Sequence, residues 1–96
     1  MRDPEVLNHI AWAVVNPRQK LPDRDLELAR LAVEQAAASA HDEDPEILRT
    51  RARVAFLSGD RAAAIRYQLR AIELAPEVRK KEYDTTLAEY RATEEH

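Results

Sequence analysis

Asp44-Pro45-Glu46-Ile47-Leu48-Arg49-Thr50-Arg51-Ala52-Arg53-Val54-Ala55-Phe56-Leu57-Ser58-Gly59-Asp60-Arg61 is the stretch from which the fold can be read. Asp44 is a good helix N-cap, and Pro45 suits the first turn because its missing N–H is not needed there. Leu48, Ala52 and Ala55 recur at helical spacing and make one buried stripe. Gly59, the only glycine of the chain, is placed to take the left-handed position after the helix. Asp60 then caps a fourth helix over Arg61–Ala75, which stops before Pro76. Its inner face is read as Ala64, Ile65, Ala71 and Ile72.

Working outward, Asp3-Pro4-Glu5 repeats the same cap and first turn. It opens a first helix over Asp3–Val15, with Leu7, Ile10, Ala11 and Val14 on one face. Two prolines and no apolar period make Asn16–Asp23 a loop. A second helix is expected over Arg24–Ala40, with Leu26, Ala29, Val33 and Ala36 inward, and His41–Glu43 is a short connector. A fifth helix covers Glu77–Ala92, burying Tyr83, Leu87 and Tyr90. Thr93–His96 are expected to fray.

Asp3-Pro4-Glu5-Val6-Leu7 matches Asp44-Pro45-Glu46-Ile47-Leu48 at an offset of 41 residues, and the match continues to Ala11 and Ala52. The following helices match at 35, pairing Ala29 with Ala64 and Ala36 with Ala71. The difference of 6 is the extra length of the first inter-helix loop. The chain is therefore two helix pairs and a terminal helix, and repeats of this length imply stacked hairpins sharing one core.

These residues resemble the tetratricopeptide repeat family. The second repeat carries Leu48, Ala52, Gly59-Asp60, Ala64, Ala71 and Pro76 at the positions that the family pattern wants. The first carries Leu7, Ala11, Ala29 and Ala36, with a longer loop in place of the turn glycine. Arg51 stands where a leucine is usual, and Gln68 where an aromatic is usual. The resemblance covers residues 3–76. It implies an all-α fold of about five helices, antiparallel hairpins stacked as a short right-handed solenoid. Repeat 1 would span 3–40 with its long loop at 16–23, repeat 2 would span 44–76, and 77–92 would be a capping helix. Leu7-Asn8, Ala11-Trp12 and the ending Tyr83, Leu87, Tyr90-Arg91 are also similar to helical tails behind larger bacterial domains, including thioredoxin-like ones. On that likeness the chain would be a module of a longer protein.

Composition agrees with a helical reading. Alanine, the best helix former, occurs 17 times, and only 5 residues are aromatic. The 96 residues make one compact domain. No cysteine is present, which excludes disulfides, zinc–thiolate sites and thiol catalysis, and is compatible with a reducing, cytoplasmic setting. No apolar run reaches the roughly 18 residues of a membrane span, and Met1–Glu5 do not read as a signal peptide. The net charge of −3 speaks against a nucleic-acid partner. Arg79-Lys80-Lys81 is followed by Glu82 and Asp84, so it reads as a solvated helix face.

The family resemblance implies a partner groove on the first helices of each repeat. Registered on the family pattern, that groove would carry Asn8, Trp12 and Val15 from the first repeat and Arg49, Arg53 and Phe56 from the second. Lys80 and Asp84 would lie at its far edge. Guanidinium groups can hold a carboxylate bidentately, so an acidic peptide is the fitting ligand. Asn8 and Arg49 fall on positions of the family's carboxylate clamp, whose full residue set is absent here. Trp12 aligns with Arg53, and the two are expected to stack as a cation–π pair, with Trp12 either a ligand platform or a packing residue.

No metal or cofactor site is expected. His9 and His41 lack further ligands at metal spacing, and Asp42-Glu43-Asp44 reads as helix capping. The carboxylate pairs Asp23/Asp25 and Glu94-Glu95 lie where nothing would raise a pKa. Ser39 and Ser58 have no histidine at catalytic spacing, and one glycine cannot build a phosphate-cradling loop. The chain therefore reads as a non-catalytic module that binds a protein or peptide on its concave face. Two alternatives stay open. One is a homodimer or docking module, using the uncovered outer side of the first helix as an apolar edge, with exchange of helices through the Pro17–Asp23 loop. The other is a helix-turn-helix nucleic-acid binder built on Ser58-Gly59-Asp60.

Overall fold

Three aspartates start three of the helices as the sequence requires. In a computed structural model, which describes residues 3–16, 25–39 and 44–94, the Asp3 carboxylate accepts from the Glu5 N–H at 2.9 Å and opens α1 (Pro4–Val15). Asp44 accepts from Glu46 at 2.9 Å and opens α3 (Pro45–Leu57). Asp60 accepts from Ala63 at 3.0 Å and opens α4 (Arg61–Leu74). α2 covers Leu26–Ser39 and α5 Glu77–Glu94. Asp25 is the cap of α2, accepting from Leu28 at 3.0 Å, so this helix begins later than the expected Arg24. The expected loop beyond Asn16, the connector His41–Glu43 and the last two residues lie outside the described residues.

Among the described residues the chain is all helical, with no strand. Its radius of gyration is 12.6 Å, the size of a compact domain. The turn between α3 and α4 is a Schellman motif. Gly59 has φ +90°, its N–H donates to Phe56 O at 3.1 Å, and the Asp60 N–H donates to Ala55 O at 2.9 Å. These two bonds satisfy carbonyls that the helix end would leave orphaned.

α1 packs on α2, α3 on α4, and α5 on α4, while α3 also packs against α2 and α1. One core cluster joins α1, α2 and α3 through Leu7, Ala11, Val15, Val33, Ile47 and Val54. Two smaller clusters seat α5: Tyr83 meets Leu48, Ala71 and Ala75, and Tyr90 meets Ala52 and Ala64. Tyr83, Leu87 and Tyr90 are all buried, as their spacing requires. Small residues stand where helices approach most closely, with Ala11, Ala29, Ala36, Ala52, Ala64 and Ala71 fully covered.

The inward faces differ in detail from the sequence expectation. α1 buries Leu7, Asn8, Ala11 and Val15, while Ile10 is exposed and Val14 half-buried. The helix is rotated by about one position relative to the expected stripe, because α1 packs against both α2 and α3. In α4 the buried line is Ala64, Gln68 and Ala71, with Ile65 and Ile72 half-buried at its flanks.

The two departures from the repeat pattern have physical roles. Arg51 reaches α2 and donates to Glu34 through Nε at 3.1 Å and Nη2 at 3.0 Å, a bidentate pair that also lies 4.5 Å from the Tyr67 ring centre. Gln68 is fully buried and donates to Tyr83 O at 3.0 Å, tying α4 to α5.

Candidate functional site

A cleft of about 650 Å³ opens between α1, α3 and α5. Trp12 forms one wall, Arg49 and Arg53 line the α3 side, and Arg79, Glu82 and Tyr90 line the α5 side. Three helices that are not consecutive in the chain therefore supply one surface.

Arg49 is the centre of this arrangement. Its guanidinium carbon lies 4.0 Å from the centre of the Trp12 ring and 5.6 Å from that of Tyr83. An arginine between two aromatic faces gains cation–π attraction and loses little freedom. Its Nη1 is 3.4 Å from a Glu82 oxygen, and the other Glu82 oxygen is 3.4 Å from Arg79 Nε. Arg79 also pairs with Glu46 at 3.5 Å. These ion pairs are long and partly exposed, so each contributes little on its own.

Arg53 behaves differently. Its Nε donates to Val15 O at 3.1 Å, closing a carbonyl at the end of α1. Among the described residues it forms no ion pair with a carboxylate. Its guanidinium sits 5.5 Å from the Phe56 ring, and Phe56 stacks on Tyr90 with centroids 4.6 Å apart and an interplanar angle of 27°. Burial pushes the Tyr90 phenol above its ordinary pKa, and the nearby Arg53 cation pulls against that shift. Burial likewise raises Tyr83, opposed by Arg49 and Arg79. Arg49 Nε and Arg79 Nε are buried without an aligned hydrogen-bond partner.

The six residues expected in a groove divide. Trp12, Arg49 and Arg53 line the cleft together. Asn8 and Val15 do not: the rotation of α1 turns both into the core, Asn8 being 7 % exposed and Val15 0 %. Phe56 supports Tyr90 from beneath. The expected Trp12–Arg53 stack is replaced by Trp12 with Arg49, one turn earlier on α3. Arg53 bonds to Val15, 38 positions away, where the sequence repeat would have suggested 41, so α3 is slid along α1 by about one turn. Lys80 and Asp84 also lie outside the cleft. Lys80 Nζ donates to Ile72 O at 2.9 Å and closes the end of α4.

α5 borders the cleft, as expected, but with Arg79, Glu82 and Tyr90 in place of Lys80 and Asp84. The core stripe of Tyr83, Leu87 and Tyr90 carries the missing signal, because positions 79, 82 and 86 flank it on the side that α3 occupies. Arg79 and Glu82, three positions apart, are a charged pair at helical-neighbour spacing.

The arrangement can hold an anion against an aromatic wall. No group of three potential metal ligands occurs among the described residues. No family model, no curated protein and no solved structure matches this chain.

Proposed function

We propose that this chain is a non-catalytic interaction module whose cleft between α1, α3 and α5 binds an acidic peptide or an acidic protein surface. The carrying observation is the gathering of Arg49, Arg53 and Arg79 around one cleft with Trp12 on its wall. Arg49 and Arg79 share Glu82, and Arg53 stands in the same cleft, with Trp12 as the apolar wall and Glu89 as a second carboxylate on the α5 side. A bidentate guanidinium–carboxylate contact gives this recognition direction as well as attraction. We further read the helix pairs as a short stack of tetratricopeptide type, on the 41- and 35-residue offsets and the six matching positions of the second repeat.

The test uses the single tryptophan of the chain. Acidic, neutral and basic peptides of equal length are titrated while Trp12 emission is followed. Saturable binding of the acidic peptide alone, lost in Arg53→Glu, is the expected result. Equal response to all three peptides, or none to any, would overturn the reading. Saturable binding of duplex DNA that weakens steeply with salt would favour the helix-turn-helix alternative instead.

A further inference from the structure

We infer that the outer edge of α1 and α2 is an interface, covered in solution by the same edge of a second copy of this chain. Six large hydrophobic residues are exposed among the described residues, and four of them, Val6, Ile10, Leu28 and Leu31, line one hollow of about 620 Å³ at this edge. Each of the four is between 42 % and 55 % exposed. The other two, Leu69 and Val78, stand on α4 and α5 and line no such hollow.

The internal repeat says what this edge is. At the offset of 41, Val6, His9, Ile10 and Ala13 correspond to Ile47, Thr50, Arg51 and Val54. Ile47 and Val54 belong to the core cluster that α3 shares with α1 and α2, and Arg51 grips Glu34 of α2. The second set is thus a face that α3 turns toward the preceding helix pair. The first set lines an open groove on α1. The interface already formed inside the chain is offered again, one step earlier, with nothing on it among the described residues.

The side chains identify the occupant. An occupant built like α2 would set a carboxylate, the counterpart of Glu34, where α1 has Ile10. Where the internal interface holds an ion pair the edge is apolar, and Leu28 and Leu31 extend that apolar surface along α2, so it calls for an apolar occupant. Head-to-tail stacking would lay α5 on it, a helix whose exposed residues are mostly charged or polar. The edge of a second copy supplies Val6, Ile10, Leu28 and Leu31 in return, and a surface that matches itself pairs about a two-fold axis. Helices of 12 and 14 residues, side by side, give a footprint on the order of 400 Å² per protomer, about half that of a standard interface. The dimer therefore dissociates on dilution.

The full chain is examined by sedimentation equilibrium over about 1 µM to 1 mM. The expected mass rises from 11.0 kDa toward twice that value. Ile10→Glu and Leu31→Glu are expected to stay at the monomer mass with unchanged helical circular dichroism, while Val78→Glu and Arg53→Glu associate as the parent does. The last comparison separates this inference from the cleft reading, on which it does not depend. A monomer at every concentration overturns the inference, as does association that survives both edge variants. Because the chain has no cysteine, Ile10→Cys provides a second test that leaves an apolar residue in place. A short bis-maleimide is expected to link two copies at high concentration, and failure to do so counts against a two-fold pairing of this edge.

Discussion

Arg49 lies over Trp12 at 4.0 Å, and this contact joins α1 to α3 on the face where the cleft opens. It makes Arg49 a structural residue first. Arg49→Ala is expected to lower stability by about 1–2 kcal/mol, from lost cation–π attraction and lost stem packing. Trp12 emission is expected to move to longer wavelength as its face meets water. Arg49→Lys keeps the charge but not the planar stack, and is expected to recover only part of the loss. Chemical denaturation followed by fluorescence checks both.

Arg53 is expected to show the opposite balance. Its replacement by lysine removes the Nε bond to Val15 O, at a cost of about 1 kcal/mol, while keeping a cation in the cleft. Affinity for the acidic peptide falls but persists. Arg53→Glu adds a little more destabilisation and abolishes binding. Calorimetric titration beside thermal melting separates the two effects, and a binding loss that merely follows the melting temperature would make Arg53 structural as well.

The buried alanines permit no enlargement. Ala64→Leu or Ala71→Leu is expected to cost about 1–3 kcal/mol, because each methyl group already fills a fully covered site between helices. A neutral result at either position would undermine the close helix contact described here. The measurement is the midpoint of urea unfolding, compared with a leucine placed at exposed Ala62.

Gly59→Ala is expected to cost about 1 kcal/mol, through backbone conformation alone. Its φ of +90° is one that L side chains rarely adopt, yet an added methyl would meet nothing within 4 Å. Stability therefore falls without any change in the packing of α3 on α4. Asn at this position is expected to be milder than Ala, since Asn tolerates the left-handed region. Equal melting temperatures for parent and alanine variant would contradict the turn geometry.

Stability is also expected to fall in alkaline solution. Tyr83 and Tyr90 are held above the ordinary phenol value of 10.0. The unfolded chain therefore loses its tyrosine protons first as pH rises. The contribution of these phenols is fully present below the ordinary value and is lost as pH climbs through the raised folded values. Tyr90→Phe removes a buried hydroxyl that lies beside Arg53, and is expected to change stability at pH 7 by less than about 1 kcal/mol. It is also expected to flatten the alkaline decline. Melting temperatures of parent and variant from pH 8 upward test the sign.

Much of the helical framework was legible in the residues themselves. Asp3, Asp44 and Asp60 announce helix starts by local chemistry, and Gly59 announces a helix end. Tyr83, Leu87 and Tyr90 announce the inner side of α5 because, beyond Val78 in the first turn, nothing else on that helix is both large and apolar enough to compete. What stayed hidden depended on packing between helices. The rotation that buries Val15 and exposes Ile10 follows from α1 meeting two neighbours at once, and apolar residues on adjacent faces of one helix do not reveal which face wins. The slide of α3 along α1, which gives Trp12 to Arg49 instead of Arg53, cannot be read from matching positions in a repeat. More than half of the cleft lining comes from α5, a helix that the repeat offsets do not reach.

The six fully covered alanines carry a consequence for how this chain can change. Alanine has no rotatable side-chain torsion, so ordering these sites costs no side-chain entropy. The same economy closes them to substitution, since glycine is the only smaller residue and it weakens a helix interior. Sequence drift at these points is therefore blocked in both directions. Surfaces such as the cleft and the α1–α2 edge can change their residues while the alanine contacts between the helices stay fixed.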